Sequence, residues 1–268
     1  MKLTYQSANF DYARSRKAIA TLQAQLPAVA KALDTVTVGD PSCLYRLEHT
    51  LGKACEIRAF SDFSQSVRNG GRRLFLQLPI TTKEQEYDAT IQLATAALAH
   101  VDGFVSGDLG VLDALQCLGA ALVHHGNLVN RHAAATVQQL VGLECTRPLF
   151  LRERFLRADP AIARDVVAFG PMLLSCSTFC VHCGDLPTAC DYSCAAPKSA
   201  EMEGELVHMV GRALFTQRRM DLLDMLADIP GAVRGTVVDL QMTEFEWLRA
   251  AKVIAETPEN PPTAAAKA

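Results

Sequence analysis

Short β-branched or apolar runs alternate with helical stretches along this chain, and that alternation restricts the fold more than any other feature. DTVTVGD (34–40), RRLFLQLPI (72–80), the start of DGFVSGDLGVLDALQCLG (102–119), AALVHHGNLVN (120–130), residues 165–169 and GAVRGTVVDLQMT read as strands; RPLFLRERF (147–155) is a further, more charged candidate. Between them lie helical patterns: residues 13–33, interrupted at Pro27; 61–71; 81–101; the second half of 102–119; 132–143; and FEWLRAAKVIAE. Thr82, three residues before Gln85, suggests a capping box for the 81–101 helix. The stretch from EMEGELVHMV to DMLADI is expected to run into a helix. Strands separated by helices pair in parallel through crossovers. The chain is therefore predicted to be α/β, a TIM-like (β/α)8 barrel, complete, incomplete or distorted, in a single domain spanning 1–257. A doubly wound open sheet is the alternative, but neither a GxGxxG nor a P-loop motif supports it. Residues 258–268, PENPPTAAAKA in context, lack apolar docking residues and are expected to be disordered.

Composition excludes several classes of function. The net charge of −3 gives no electrostatic argument for nucleic acid or an anionic membrane. No apolar run reaches the roughly 18 residues needed to cross a bilayer. The first residues, MKLTYQSANFDYARSRK, contain no apolar core of a secretory signal, so a cytoplasmic location is expected.

In that reducing setting the cysteines become informative. Cys176, Cys180, Cys183, Cys190 and Cys194 crowd into 19 residues, and such a run points to a metal centre rather than a disulfide framework. Three arrangements fit the spacing. Cys176, Cys180 and Cys183, with His182, have the C-x3-C-x2-C spacing of a radical S-adenosylmethionine motif, although in that superfamily the motif follows the first barrel strand. Cys180, Cys183, Cys190 and Cys194 could close a zinc tetrahedron. Alternatively Cys180, Cys190 and Cys194 share a [4Fe–4S] cluster with Cys43. Cys43 directly follows the strand DTVTVGD, and the cysteine run follows the strand ending near Phe169, so both lie at the carboxyl ends of parallel strands. Cys55, Cys117 and Cys145 are expected in the core.

TVGDPSCLYR, FGPMLLSCSTFC and the Cys190/Cys194 pair resemble the cysteine-bearing segments of the UbiV-type branch of the collagenase-like peptidase family. SGDLGVLDAL, LVHHGNLVNRHAAATVQQL and RRMDLLDMLADIPGAVRGTVVDL extend the resemblance in order through most of the chain. It implies a barrel-like fold, a [4Fe–4S] cluster on Cys43, Cys180, Cys190 and Cys194, and oxygen-independent hydroxylation in ubiquinone biosynthesis. It also implies a heterodimer with a UbiU-like homologous subunit and prephenate as the small-molecule oxygen donor. Phe179 and Phe150 stand where the family has an arginine and a glutamate, so a non-catalytic, metal-bearing partner subunit is a second reading. No nucleophile–base pattern supports peptidase activity, and catalytic residues are not assigned.

Other polar groups have ordinary readings. His124 and His125 are adjacent on a strand and point to opposite faces, so at most one lines a site. Asn130 and Arg131 could bind a carboxylate or simply form a loop. Gly107-Asp108 could present an aspartate or make a turn. Arg218 and Arg219 suit a solvated face, and Arg72 and Arg73 the end of the sheet away from the site.

Overall fold

A computed structural model describes residues 1–7, 10–40, 43, 54–80, 82–118, 123–125, 144–145, 164–176, 180, 198–202, 204–229 and 231–259. The strands are β1 (Lys2–Ser7), β2 (Leu33–Gly39), β3 (Arg73–Gln77), β4 (Gly103–Ser106), β5 (Val123–His125), β6 (Glu144–Cys145), β7 (Arg164–Cys176), β8 (Lys198–Met202), β9 (Glu205–Val210), β10 (Ala213–Asp221) and β11 (Ala232–Asp239). The helices are α1 (Tyr12–Gln25), α2 (Pro27–Ala30), α3 (Ala54–Asn69), α4 (Glu84–Ala97), α5 (Leu109–Cys117) and α6 (Glu244–Glu256). The result is a mixed α/β domain built on one sheet, in the order β6-β5-β4-β3-β2-β1-β11-β7-β10-β9-β8.

The strands from β6 to β7 in that order all pair in parallel. Their side chains separate into two faces. Leu3, Tyr5, Val36, Val38, Leu74, Leu76, Phe104, Val166, Ala168 and Val237 point at the helices and form the main core with Phe60, Phe63, Leu112, Trp247 and Ile254. The alternate residues Thr4, Thr35, Thr37, Gln77, Arg234 and Thr236 are also buried, so the second face is enclosed and carries polar groups beside Phe75, Val105 and Val238. Period-2 alternation with both faces buried is the pattern of a parallel sheet wrapped by other structure.

β7 departs from the expected barrel. Its first half, through Phe169, pairs with β11, while Phe169–Cys176 pairs antiparallel with β10. β9 and β8 then extend the sheet antiparallel. The segment expected to run into a helix is thus three strands and a 3-10 turn, Leu223–Asp228. Its physical basis is the alternating burial of Ala213 and Phe215 in ALFT and the pairing of ELVHMV with both neighbours, with Gly211 at φ 60° turning the chain between them. The described sheet is therefore open, with β6 and β8 at its edges, rather than a closed (β/α)8 barrel. β6 and β7 nonetheless approach within 8 Å between Cα atoms, without a ladder between their described residues.

Several local expectations are met. Pro27 divides α1 from α2 at a position where its missing N–H costs nothing. α6 starts at a full capping box, Thr243 with Glu246. The box expected at Thr82 does not form: α4 begins at Glu84 after Lys83, which makes no side-chain cap. Thr82 N–H instead donates to Asp108 Oδ2 at 3.1 Å. The residues of the expected 132–143 helix and 147–155 strand, and the 260–268 tail, lie outside the described residues.

Candidate cysteine centre

Strand direction decides which end of the sheet carries chemistry-bearing loops. β2 and β7 run the same way, so Cys43, four residues past Gly39, and Cys180, four residues past Cys176, both leave the carboxyl ends of co-directional strands. Each is buried, Cys43 at 2% and Cys180 at 5% exposure. In sheet order, however, β1 and β11 separate β2 from β7. At about 4.8 Å per strand that is roughly 14 Å along a flat sheet.

The β9–β10 hairpin bridges this separation. Its tip is Gly211-Arg212, and the Gly211 carbonyl lies 4.0 Å from Cys180 Sγ. The Arg212 guanidinium forks onto Glu86, Nη2 to Oε1 at 3.1 Å and Nη1 to Oε2 at 3.3 Å. Both side chains are 4% exposed. Glu86 lies in the first turn of α4, where the helix dipole also favours a carboxylate. α4 follows β3, the hydrogen-bonded neighbour of β2. The tip that contacts Cys180 is therefore anchored beside the strand ends from which Cys43 departs. Directly behind the tip, Val210, Ala213 and Phe215 pack with Val238 and Leu240 of the β11 end, which holds the arm against the enclosed face.

Cys190, Cys194 and Cys183 lie outside the described residues. Cys176 ends β7 and registers with Ala213, so its backbone adjoins the same hairpin. Among the described residues no three His, Cys, Asp or Glu side chains form a group able to hold a metal ion. Two buried thiols at one end of the sheet do suit the donor chemistry of an iron–sulfur cluster, whose ligands are thiolates gathered from separate loops. Cys117, expected in the core, is exposed on α5; its helix turns that position away from the sheet.

The remaining candidates resolve into structural roles or fall outside the description. Asp108 caps α5: Oδ1 accepts from Gly110 N at 3.0 Å and Val111 N at 3.2 Å. His124 and His125 of β5 register with Val105 and Ser106 of β4. Arg219 is not simply solvated; it pairs with Glu246 and donates to the Gln241 carbonyl at 2.9 Å. Arg73 binds Asp34 at 2.5 Å near the amino ends of β3 and β2, away from the cysteines. Asn130 and Arg131 are outside the described residues.

A separate concavity lies between α1 and α6, lined by Arg14, Lys17, Thr21, Asp239, Thr243 and Trp247. Two of its charged groups, Arg14 and Asp239, are already engaged with each other. Asp239 Oδ2 accepts from Tyr5 Oη at 2.6 Å and Arg14 Nε at 2.7 Å, and Oδ1 accepts from Arg14 Nη2 at 2.7 Å and Met242 N at 3.0 Å. Burial, followed by the Asp239 charge and hydrogen bond, pushes the Tyr5 hydroxyl far above its ordinary value. Such a network joins the first and last βα units.

Sequence reasoning missed β1, the hairpin and the Arg212–Glu86 pair. Leu3 and Tyr5 alternating in KLTYQS signalled the strand. Nothing local marks Glu86 and Arg212 as partners.

Comparison with known proteins gives a fold and no more. No family model and no curated protein matches the chain. Among solved structures, it is similar to the C-terminal domain of a "putative chitinase" from Desulfitobacterium hafniense DCB-2, at 9% identity and a TM-score of 0.53, over 96% of this chain and 99% of that one. At that identity the likeness concerns chain path alone. Among the described residues, no helix is long and apolar enough to cross a membrane.

Proposed function

We propose that this chain holds a [4Fe–4S] cluster on Cys43, Cys180, Cys190 and Cys194 and acts in oxygen-independent hydroxylation as a UbiV-type subunit beside a UbiU-like homologous partner. The observation that carries the reading is that two buried cysteines, distant in sequence, follow the carboxyl ends of co-directional strands, with the β9–β10 tip against Cys180. The order of the eight parallel strands, with β6 near β7, supports a barrel-like enclosure of that end. When bound, such a cluster supplies one-electron chemistry tuned by hydrogen bonding and solvent exposure. The chain's own contribution is to bury the thiols and to set a backbone carbonyl beside Cys180.

Phe179 and Phe150, in place of a charged pair, favour a second version in which the homologous subunit binds substrate, with prephenate as the oxygen donor, and this chain bears the metal without catalysing. A radical S-adenosylmethionine reading through Cys176, Cys180 and Cys183 is less favoured, because the run follows the seventh strand in chain order, not the first.

Anaerobic purification with iron, sulfide and zinc analysis tests the proposal. About four iron and four sulfide per chain are expected, lost in Cys43→Ala and Cys194→Ala but kept in Cys183→Ala. Zinc without acid-labile sulfide would sink it. Reductive cleavage of S-adenosylmethionine would select the radical reading.

A further inference from the structure

We infer that Arg212 and Glu86 are positioning residues of the cysteine centre, a latch that holds the β9–β10 tip and, through it, Cys180; as a statement about the metal centre this rests on the function proposed above. The tip reaches Glu86 from an arm that joins the sheet at β7, four strands away from β3. A two-residue turn ending an antiparallel arm has no covalent reason to lie there. The forked pair ties it to the helix that follows β3, and both partners are withdrawn from water. Forked arginine–carboxylate pairs fix direction as well as distance. Removing one partner leaves a buried charge without its counter-charge, so the tip must move to hydrate it. Gly211 is the residue next to Arg212, and its carbonyl faces Cys180 Sγ. Displacement of the latch is therefore transmitted to the thiol across one peptide unit and one contact. Val210 and Ala213, which flank the turn, and Phe215 also pack with Val238 and Leu240, so loss of the latch loosens the Gly211-Arg212 turn without detaching the arm.

The test compares wild type, Arg212→Met, Glu86→Gln and the double variant Arg212→Met/Glu86→Leu, which replaces the pair with apolar groups of similar size. In metal-free protein under anaerobic conditions, iodoacetamide labelling is followed cysteine by cysteine by mass spectrometry, with exposed Cys117 as the internal reference. Cys180 is expected to label about tenfold faster in Arg212→Met, with Cys117 unchanged, as for a site that opens locally. Reconstituted Arg212→Met is expected to show a shifted midpoint potential and faster iron loss. If Arg212→Met fails to fold, Arg212→Lys, which keeps the charge but loses the fork, is expected to give a smaller, Cys180-specific acceleration. Equal Cys180 rates in wild type and every folded single variant would overturn the latch. Absence of iron in wild type would overturn the cluster reading while leaving the labelling comparison to decide the latch.

Discussion

The Arg234 guanidinium reaches Asp34 across the intervening strand β1, Nη2 to Oδ2 at 3.4 Å, while Nη1 of the same group holds Asp165 at 2.8 Å. Asp34 also takes Arg73 of β3, and Lys2 of β1 lies 3.8 Å away. Residues from β7, β11, β1, β2 and β3 thus meet in one charged group, which draws the amino ends of these strands together.

Acid should loosen that group. Burial alone would raise the Asp34 carboxyl, but hydrogen bonds from Arg73 and Thr35 and the charges of Arg73 and Arg234 outweigh it and leave the group below its usual value. A carboxyl depressed in the folded state contributes stability above its unfolded value of about 4, and that contribution is lost as pH falls through the folded value. Asp34→Asn is expected to cost roughly 1–2 kcal/mol at neutral pH. It should also flatten the decline in urea midpoint below about pH 4. An unchanged acid limb would contradict this.

Two glycines should tolerate no side chain. Gly39 ends β2 at φ 136°, and a Cβ there would sit 2.2 Å from the Gln77 carbonyl oxygen; Gly170 in β7, at φ 131°, would place one 2.4 Å from the Val238 oxygen. Both contacts are with backbone, so neither neighbour can rotate aside. Gly39→Ala and Gly170→Ala are each expected to cost about 3 kcal/mol or more. Gly71→Ala has φ 72° but open space around it, and should cost only about 1 kcal/mol. Chemical denaturation of the three variants separates clash from conformational cost.

Tyr5 should make the fold sensitive to alkali. Its hydroxyl is raised in the folded state by burial first and by Asp239 next. Its stabilisation is complete below the unfolded value of about 10 and is lost as pH rises beyond it. Tyr5→Phe is expected to cost about 1 kcal/mol at neutral pH and to weaken the alkaline decline. Tyrosinate absorbance during a pH titration should show Tyr5 ionising only with unfolding.

How much was legible in the sequence follows from range. β2, β3, β11 and α6 carry their signals locally: β-branched alternation, a closing glycine, a Thr243–Glu246 box. The hairpin was misread because RRMDLLDMLADI is rich in helix formers, while pairing of Arg219, Met220 and Asp221 with β7 keeps its start in a strand and Leu223–Asp228 forms only a 3-10 turn. The capping box at Thr82 failed for a related reason, since Asp108 from the next βα unit competes for the Thr82 N–H. At the site, the strand order was enough to put Cys43 and Cys180 at one end of the sheet. The Arg212–Glu86 pair that links their surroundings joins positions with no shared local pattern, so only the folded chain reveals it.

β1 takes its neighbour β11 from the far end of the chain. During synthesis, then, the cysteine-bearing segment leaves the ribosome before the strand that completes its sheet exists. β8, β9 and β10 follow at once and can pair through short local loops, whereas the β1–β11 ladder must wait for distant segments to meet. The arm is thus the part of the scaffold able to form around nascent thiols first, and the parallel sheet closes behind it.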